Sequence, residues 1–103
     1  MNASDSAFKA LADETRRAIV KMLRTGPRTS GQIADQFHSS WPTISRHLAI
    51  LRDANLVSAE RRGQEIHYEL NTSVFQDLVT DMMGWVDRPR SGRKARRPRP
   101  QEA

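Results

Sequence analysis

Between Ser39 and His47 the chain places four hydroxyls (Ser39, Ser40, Thr43, Ser45), a guanidinium (Arg46), an imidazole (His47) and an indole (Trp41) around a single proline, Pro42. No carboxylate stands among them, so nothing there builds a nucleophile, base and orienting acid. Hydroxyls and an arginine fork at this density hydrogen-bond phosphates and base edges instead. One arginine can bond guanine O6 and N7 together, worth roughly 1–3 kcal/mol of discrimination, and hydroxyls serve bases or phosphates. A second cationic spot lies at Arg61-Arg62-Gly63-Gln64, where a glycine turn carries two guanidiniums and an amide.

Other chemistries are excluded or unsupported. The chain has no cysteine, which removes disulfides, thiolate metal ligands and cysteine nucleophiles. His38, His47 and His67 show no ligand spacing, and Asp77 and Asp81 share a helical face without a nitrogen partner, so no metal site and no cofactor is expected. A phosphate-cradling glycine loop and a paired-carboxylate cleft are both missing, and the expectation is that the protein is not an enzyme.

Those residues need elements to hold them. With 103 residues the chain is the size of one domain. Apolar Ala7, Phe8, Ala10 and Leu11 predict a first helix over 6–12. Asp13 reads as an N-cap of a second helix running to Arg24, with Ala18, Ile19, Met22 and Leu23 as its apolar stripe and Gly26-Pro27 as its stop. Thr29 and Gln32 have capping-box spacing, opening a short helix that buries Ile33, Ala34 and Phe37 and ends near His38. After a tight turn, Ser39 or Ser40 caps a fourth helix that carries Pro42 in its first turn and runs to about Ala54. On it, Ile44, Leu48 and Leu51 fall within about 60° of one another, with Pro42, Ser45, Arg46 and Ala49 roughly opposite. Residues 57–61 and 65–70 read as a hairpin about Gly63, the second strand setting Ile66, Tyr68 and Leu70 on one face. A last helix over 72–86 carries Val74, Phe75, Leu78, Val79, Met82, Met83 and Val86.

The predicted class is mainly α with a β-hairpin: a short helix and a following helix joined by a tight turn, with the hairpin as a wing, or a winged helix-turn-helix. A major groove about 12 Å wide admits one helix, whose leading side chains touch base edges. The wing tip is suited to straddling the backbone or entering a minor groove. His47 lies nearer the core flank, where a structural or phosphate role competes with base reading. Trp41 is expected to pack against the core edge with some contact to DNA. The stripe from Phe75 to Met82 is too wide for so small a body to cover and points to an interface, whereas Met82 and Met83 are read as core filler rather than a cofactor box.

Charge divides the chain. Residues 1–86 hold ten Lys/Arg and ten Asp/Glu, while 87–103 hold seven basic and two acidic residues, which accounts for the net charge of +5. The domain is therefore assigned to 1–86. The Arg/Pro-rich segment 87–103 reads as a disordered tail with affinity for phosphates, an RNA or an acidic protein being alternative partners. The N-terminus has no signal-peptide pattern and no stretch is apolar enough to span a membrane, so a cytoplasmic location is expected.

The segments FKALADETRRAIVKML, TSGQIADQF and SSWPTISRHLAILRDANLVSAERRGQEIHYEL resemble the ArsR/SmtB family of winged-helix repressors across about Phe8 to Val86. The resemblance is nearest to metal-independent, SdpR-like autorepressors, because the cysteines and histidines of metal-sensing members are absent. It implies double-stranded DNA as the partner, with contacts from Ser39, Ser40, Trp41, Pro42, Thr43, Ser45, Arg46, His47, Arg61, Arg62 and Gln64. It also implies a homodimer through the first and last helices, with Phe8, Leu11, Phe75, Leu78, Val79 and Met82 at the interface. Repression of a palindromic operator, its own promoter included, is the implied activity. No residue set specifies the inducer or sequestering partner. The competing reading is a winged-helix module that binds protein or RNA.

Overall fold

The computed structural model describes residues 3–86. The proposed tail lies outside the described residues. The order is α1 (Ala3–Ala10), α2 (Glu14–Leu23), β1 (Arg28–Thr29), α3 (Ser30–Ala34), α4 (Trp41–Asp53), β2 (Val57–Arg62), β3 (Glu65–Leu70) and α5 (Thr72–Val86). A three-stranded antiparallel sheet in the order β1-β3-β2 packs against α2, α3 and α4.

Strand β1 was not expected from the sequence. It pairs Arg28 with Tyr68 and Thr29 with His67, which turns the hairpin's second strand into the centre of a sheet. Two residues are too few to show a period, so the pairing is set by tertiary position. Thr29 ends the strand and caps α3: its Oγ1 accepts from Gln32 N at 3.1 Å, and Gln32 Oε1 accepts from Thr29 N at 2.9 Å. Between β2 and β3 the register runs from Val57 opposite Leu70 to Arg62 opposite Glu65. Gly63 makes the turn at φ 64°, a left-handed conformation in the first loop position that favours glycine.

Helix α1 occupies 3–10 rather than 6–12. Asp13 must be extended (φ −99°, ψ 136°) to cap α2, so the chain leaves the first helix before it. The carbonyls thereby exposed are taken by arginines of α2. Arg16 Nε donates to Ala10 O at 2.6 Å and Arg17 Nη1 to Leu11 O at 2.8 Å. Asp13 Oδ2 accepts from the Arg16 backbone N–H at 3.1 Å, and this bond is the main reason its carboxyl sits below the ordinary Asp value of 3.8.

The core is one cluster in which Ile19, Ile33, Ile44, Leu48, Leu51 and Leu56 are fully buried, with Ala7, Ala10, Leu23, Val57, Tyr68 and Leu78 around them. Helix α4 ends in a Schellman motif. Leu56 N donates to Leu51 O at 3.0 Å and Asn55 N to Arg52 O at 2.9 Å, with Asn55 at φ 63°. That geometry reverses the chain into β2 while Leu56 follows Leu51 into the core.

Two outcomes follow from these chain ends. Asn55→Val should lower unfolding stability by about 1–3 kcal/mol, because a β-branched residue is strained at that φ, whereas Asn55→Gly should be nearly neutral. Urea titration reads both, and equal losses in the two variants would contradict a conformational cause. The Asp13 cap should also titrate. A carboxyl whose folded pKa is depressed contributes stability that is present above its unfolded pKa, near pH 4, and lost as pH falls through the lower folded value. Asp13→Asn keeps the cap without the charge, so its melting temperature should fall less than that of the parent between pH 5 and about pH 2.

Candidate nucleic-acid interface

Ser40 caps α4, settling the choice between Ser39 and Ser40: its Oγ accepts from Thr43 N at 3.4 Å. The same oxygen lies 3.0 Å from Thr43 Oγ1, so these two hydroxyls partly satisfy each other. The back of the helix, formed by Ile44, Leu48 and Leu51, is fully buried. Ser39, Pro42, Ser45 and Arg46 are exposed, and Thr43 is half-buried. Trp41 was expected against the core edge with some contact to DNA, but it stands 52% exposed at the first position of α4.

The arginines sort by what they already hold. Arg16 and Arg17 close the end of α1. Arg28 donates to Pro27 O at 3.0 Å and to Thr25 Oγ1 at 2.9 Å. Arg52 pairs with Asp53 at 3.6 Å, and Arg62 with Glu60 at 3.0 Å. The side chains of Arg24, at the C-cap of α2, Arg46 and Arg61 take no hydrogen bond or ion pair from the described residues. Arg46 is thus exposed, charged and uncommitted on the outer face of α4, and Arg61 plays the same part on β2. Gln64 is exposed at the wing tip. The pair Glu60–Arg62 is solvent-exposed, and such pairs are worth only about 0–1 kcal/mol, so it does not lock Arg62 away from a phosphate.

His47 behaves differently from its neighbours. Its side chain is 16% exposed, and its Nδ1 lies 3.1 Å from Arg16 Nη1 and 3.8 Å from Asp13 Oδ2. A guanidinium has only donors, so in the contact with Arg16 Nδ1 is the acceptor. The ring ties α4 to the junction of α1 and α2. Asp13 and Arg16 are positioning residues for the interface that the sequence reading missed: more than thirty residues separate them from His47, and no local spacing connects them.

The candidate interface residues of α1 and α5 divide as well. Leu78 is only 4% exposed and belongs to the subunit's own core. Phe8, Leu11 and Phe75 are half-buried against that core. Val79 and Met82 are exposed, together with Met83, Trp85 and Val86. Met82 and Met83 are therefore not core filler. Trp85, which the sequence reading left out, lies against Phe8 with ring centroids 5.2 Å apart and planes tilted by 46°. No group of three or more metal-ligating side chains occurs among the described residues, and no described helix is long and apolar enough to cross a membrane.

A family model described as "Bacterial regulatory protein, arsR family" matches residues 13–59, from the α2 cap into β2. The chain is 44% identical over 84 residues to the transcriptional repressor SdpR of Bacillus subtilis, an alignment covering 82% of this chain and 93% of SdpR. It is 41% identical over 78 residues to the HTH-type transcriptional regulator Rv2034 of Mycobacterium tuberculosis, covering 76% and 73% of the two chains. Among solved structures, an ArsR-like transcriptional regulator from Rhodococcus sp. RHA1 superposes with a TM-score of 0.70 at 28% identity, covering 78% of this chain and 76% of that one. An α4 with a buried back and an uncommitted guanidinium in front, a wing beside it, and relatives of this similarity along most of the chain lead to one assignment: the protein belongs to the ArsR family of winged helix-turn-helix, DNA-binding transcriptional regulators, and is not an enzyme.

Proposed function

We propose that this regulator is a cytoplasmic homodimeric repressor that occupies a near-palindromic operator, reading base edges with the front of α4 and gripping the backbone with the wing. The observation that carries this reading is Arg46, exposed and unpartnered beside Ser45 on a helix whose other face is wholly buried. Arg46 takes the base-reading role, bidentate to guanine. Ser45 and Ser39 keep hydroxyls for bases or phosphates. Arg61, Arg62 and Gln64 contact the backbone or the minor groove. Ser40, Thr43 and His47 chiefly hold the helix in place. That SdpR is named a repressor supports repression here.

Dimerisation is supported by the exposed Val79, Met82, Met83, Trp85 and Val86 on α5, continuous with Phe8 of α1. A contiguous apolar surface on a small domain marks an interface. Leu11 and Phe75 flank it, and Leu78 supports it from inside. Two α4 helices related by a twofold axis would then meet successive major grooves, which makes the operator a near-palindrome. The Arg-rich segment 87–103 adds a sequence-independent grip on phosphates.

Footprinting on bound genomic fragments should reveal a protected near-palindrome with half-site centres about one helical turn, or a multiple, apart. Arg46→Ala should lower operator affinity about 5- to 150-fold, the equivalent of 1–3 kcal/mol, and leave weak nonspecific binding intact. Deletion of residues 88–103 should weaken binding to all sequences and flatten the dependence on salt. Matching profiles for the two variants would contradict this division of labour. Val79→Glu should shift the protein toward monomer in sedimentation equilibrium and lower operator affinity without unfolding it. A parent chain that sediments as a monomer at micromolar concentration would contradict the dimer.

A further inference from the structure

The leading end of α4 has few free backbone donors, where an anion-binding helix end would be rich in them. Pro42 has no N–H. Thr43 N is taken by Ser40 Oγ at 3.4 Å and Ile44 N by Ser40 O at 3.1 Å. The hydroxyls of Ser40 and Thr43 face each other at 3.0 Å. The usual means by which a helix N-terminus grips a phosphate is therefore largely spent. Ahead of this closed turn stands Trp41, 52% exposed, with Pro42 exposed beside it. In an α-helix the Cα–Cβ bonds tilt toward the N-terminus, so the indole projects off the leading end, one turn ahead of Ser45 and on the same side.

The exposed indole offers a broad apolar surface ahead of the helix. Among the base edges of the major groove there is one prominent apolar group, the C5-methyl of thymine. Resting on the reading of α4 as the recognition helix, we infer that Trp41 is a specificity-determining residue that selects thymine by covering its C5-methyl group, one helical turn ahead of Ser45. Arg46 and Trp41 then read different chemistry from one helix. The guanidinium takes the paired acceptors of a guanine, and the indole takes the methyl that separates thymine from cytosine. Packing of the indole on sugar and phosphate is the competing arrangement, and it would carry no base preference.

The test replaces each thymine of the footprinted half-site, one at a time, with deoxyuridine, which removes the methyl and leaves every hydrogen-bonding group in place. The full-length chain should lose about fourfold in affinity at one thymine per half-site, as expected for one methyl burial of about 0.8 kcal/mol at 1.4 kcal/mol per tenfold. Trp41→Ser should bind the thymine and deoxyuridine operators equally, and Trp41→Phe should restore part of the difference. The side chain is exposed, so neither variant should change the melting temperature. If every deoxyuridine is tolerated by the parent chain on an operator it still protects, thymine selection is overturned while the operator reading stands. An equal loss at the same thymine in the parent and in Trp41→Ser overturns it too, since another group must then sense the methyl. If no sequence is protected at all, the operator reading itself fails, and thymine selection fails with it.

Discussion

Helix α4 can face outward with Ser45 and Arg46 only because Ile44, Leu48 and Leu51 are held in the common core between α1, α2, α3 and β2. A rotation by one residue is a turn of about 100°. It would drive a guanidinium toward that core and leave isoleucine and leucine in water, losing roughly 1.5–3 kcal/mol per exposed side chain before any charge is desolvated. Both ends are pinned as well. Ser40 stops the helix from extending backward, and the left-handed Asn55 with its 6→1 bond from Leu56 to Leu51 stops it from running on. The exposed face of α4 is a consequence of what the opposite face must bury.

Placement of the helix in the body depends on a second set of contacts, made mostly by arginines. Arg16 bridges the end of α1 to His47 of α4 through Ala10 O and Nδ1, and Asp13 caps α2 from the same junction. The guanidinium's several donors allow one side chain to satisfy two elements at once. Charge in the body is thereby used twice: some arginines close chain ends, while others, Arg46 and Arg61 on α4 and the wing among them, remain free for an outside acceptor. With ten basic and ten acidic residues over 1–86, the body attracts DNA by local geometry more than by overall field.

Helix α5 divides its apolar residues between two environments. Leu78 closes the subunit's core, while Val79, Met82, Met83, Trp85 and Val86 remain outside. Pairing two subunits through that outer face would couple the spacing of two α4 helices to the packing of α1 and α5. Anything that shifts α1 against α5 then bears on DNA fit without touching the recognition helix.

Element identities were legible in the sequence because they are local. The Thr29–Gln32 box, the Asp13 and Ser40 caps, Gly63 in the hairpin and the Ile44-Leu48-Leu51 spacing each lie within a few residues, and period and capping chemistry are enough to read them. The family pattern from Phe8 to Val86 rests on the same local features. Contacts across the fold were decided only by tertiary structure: β1 pairing with the centre of the sheet, Arg16 and Asp13 reaching His47, Leu78 turning inward while Val79 turned outward, and Trp41 left uncovered at the helix tip. The physical reason is that burial and partner choice depend on which elements meet in space, and a stripe or an arginine looks the same in one dimension whether its partner is its own chain, its twin or DNA.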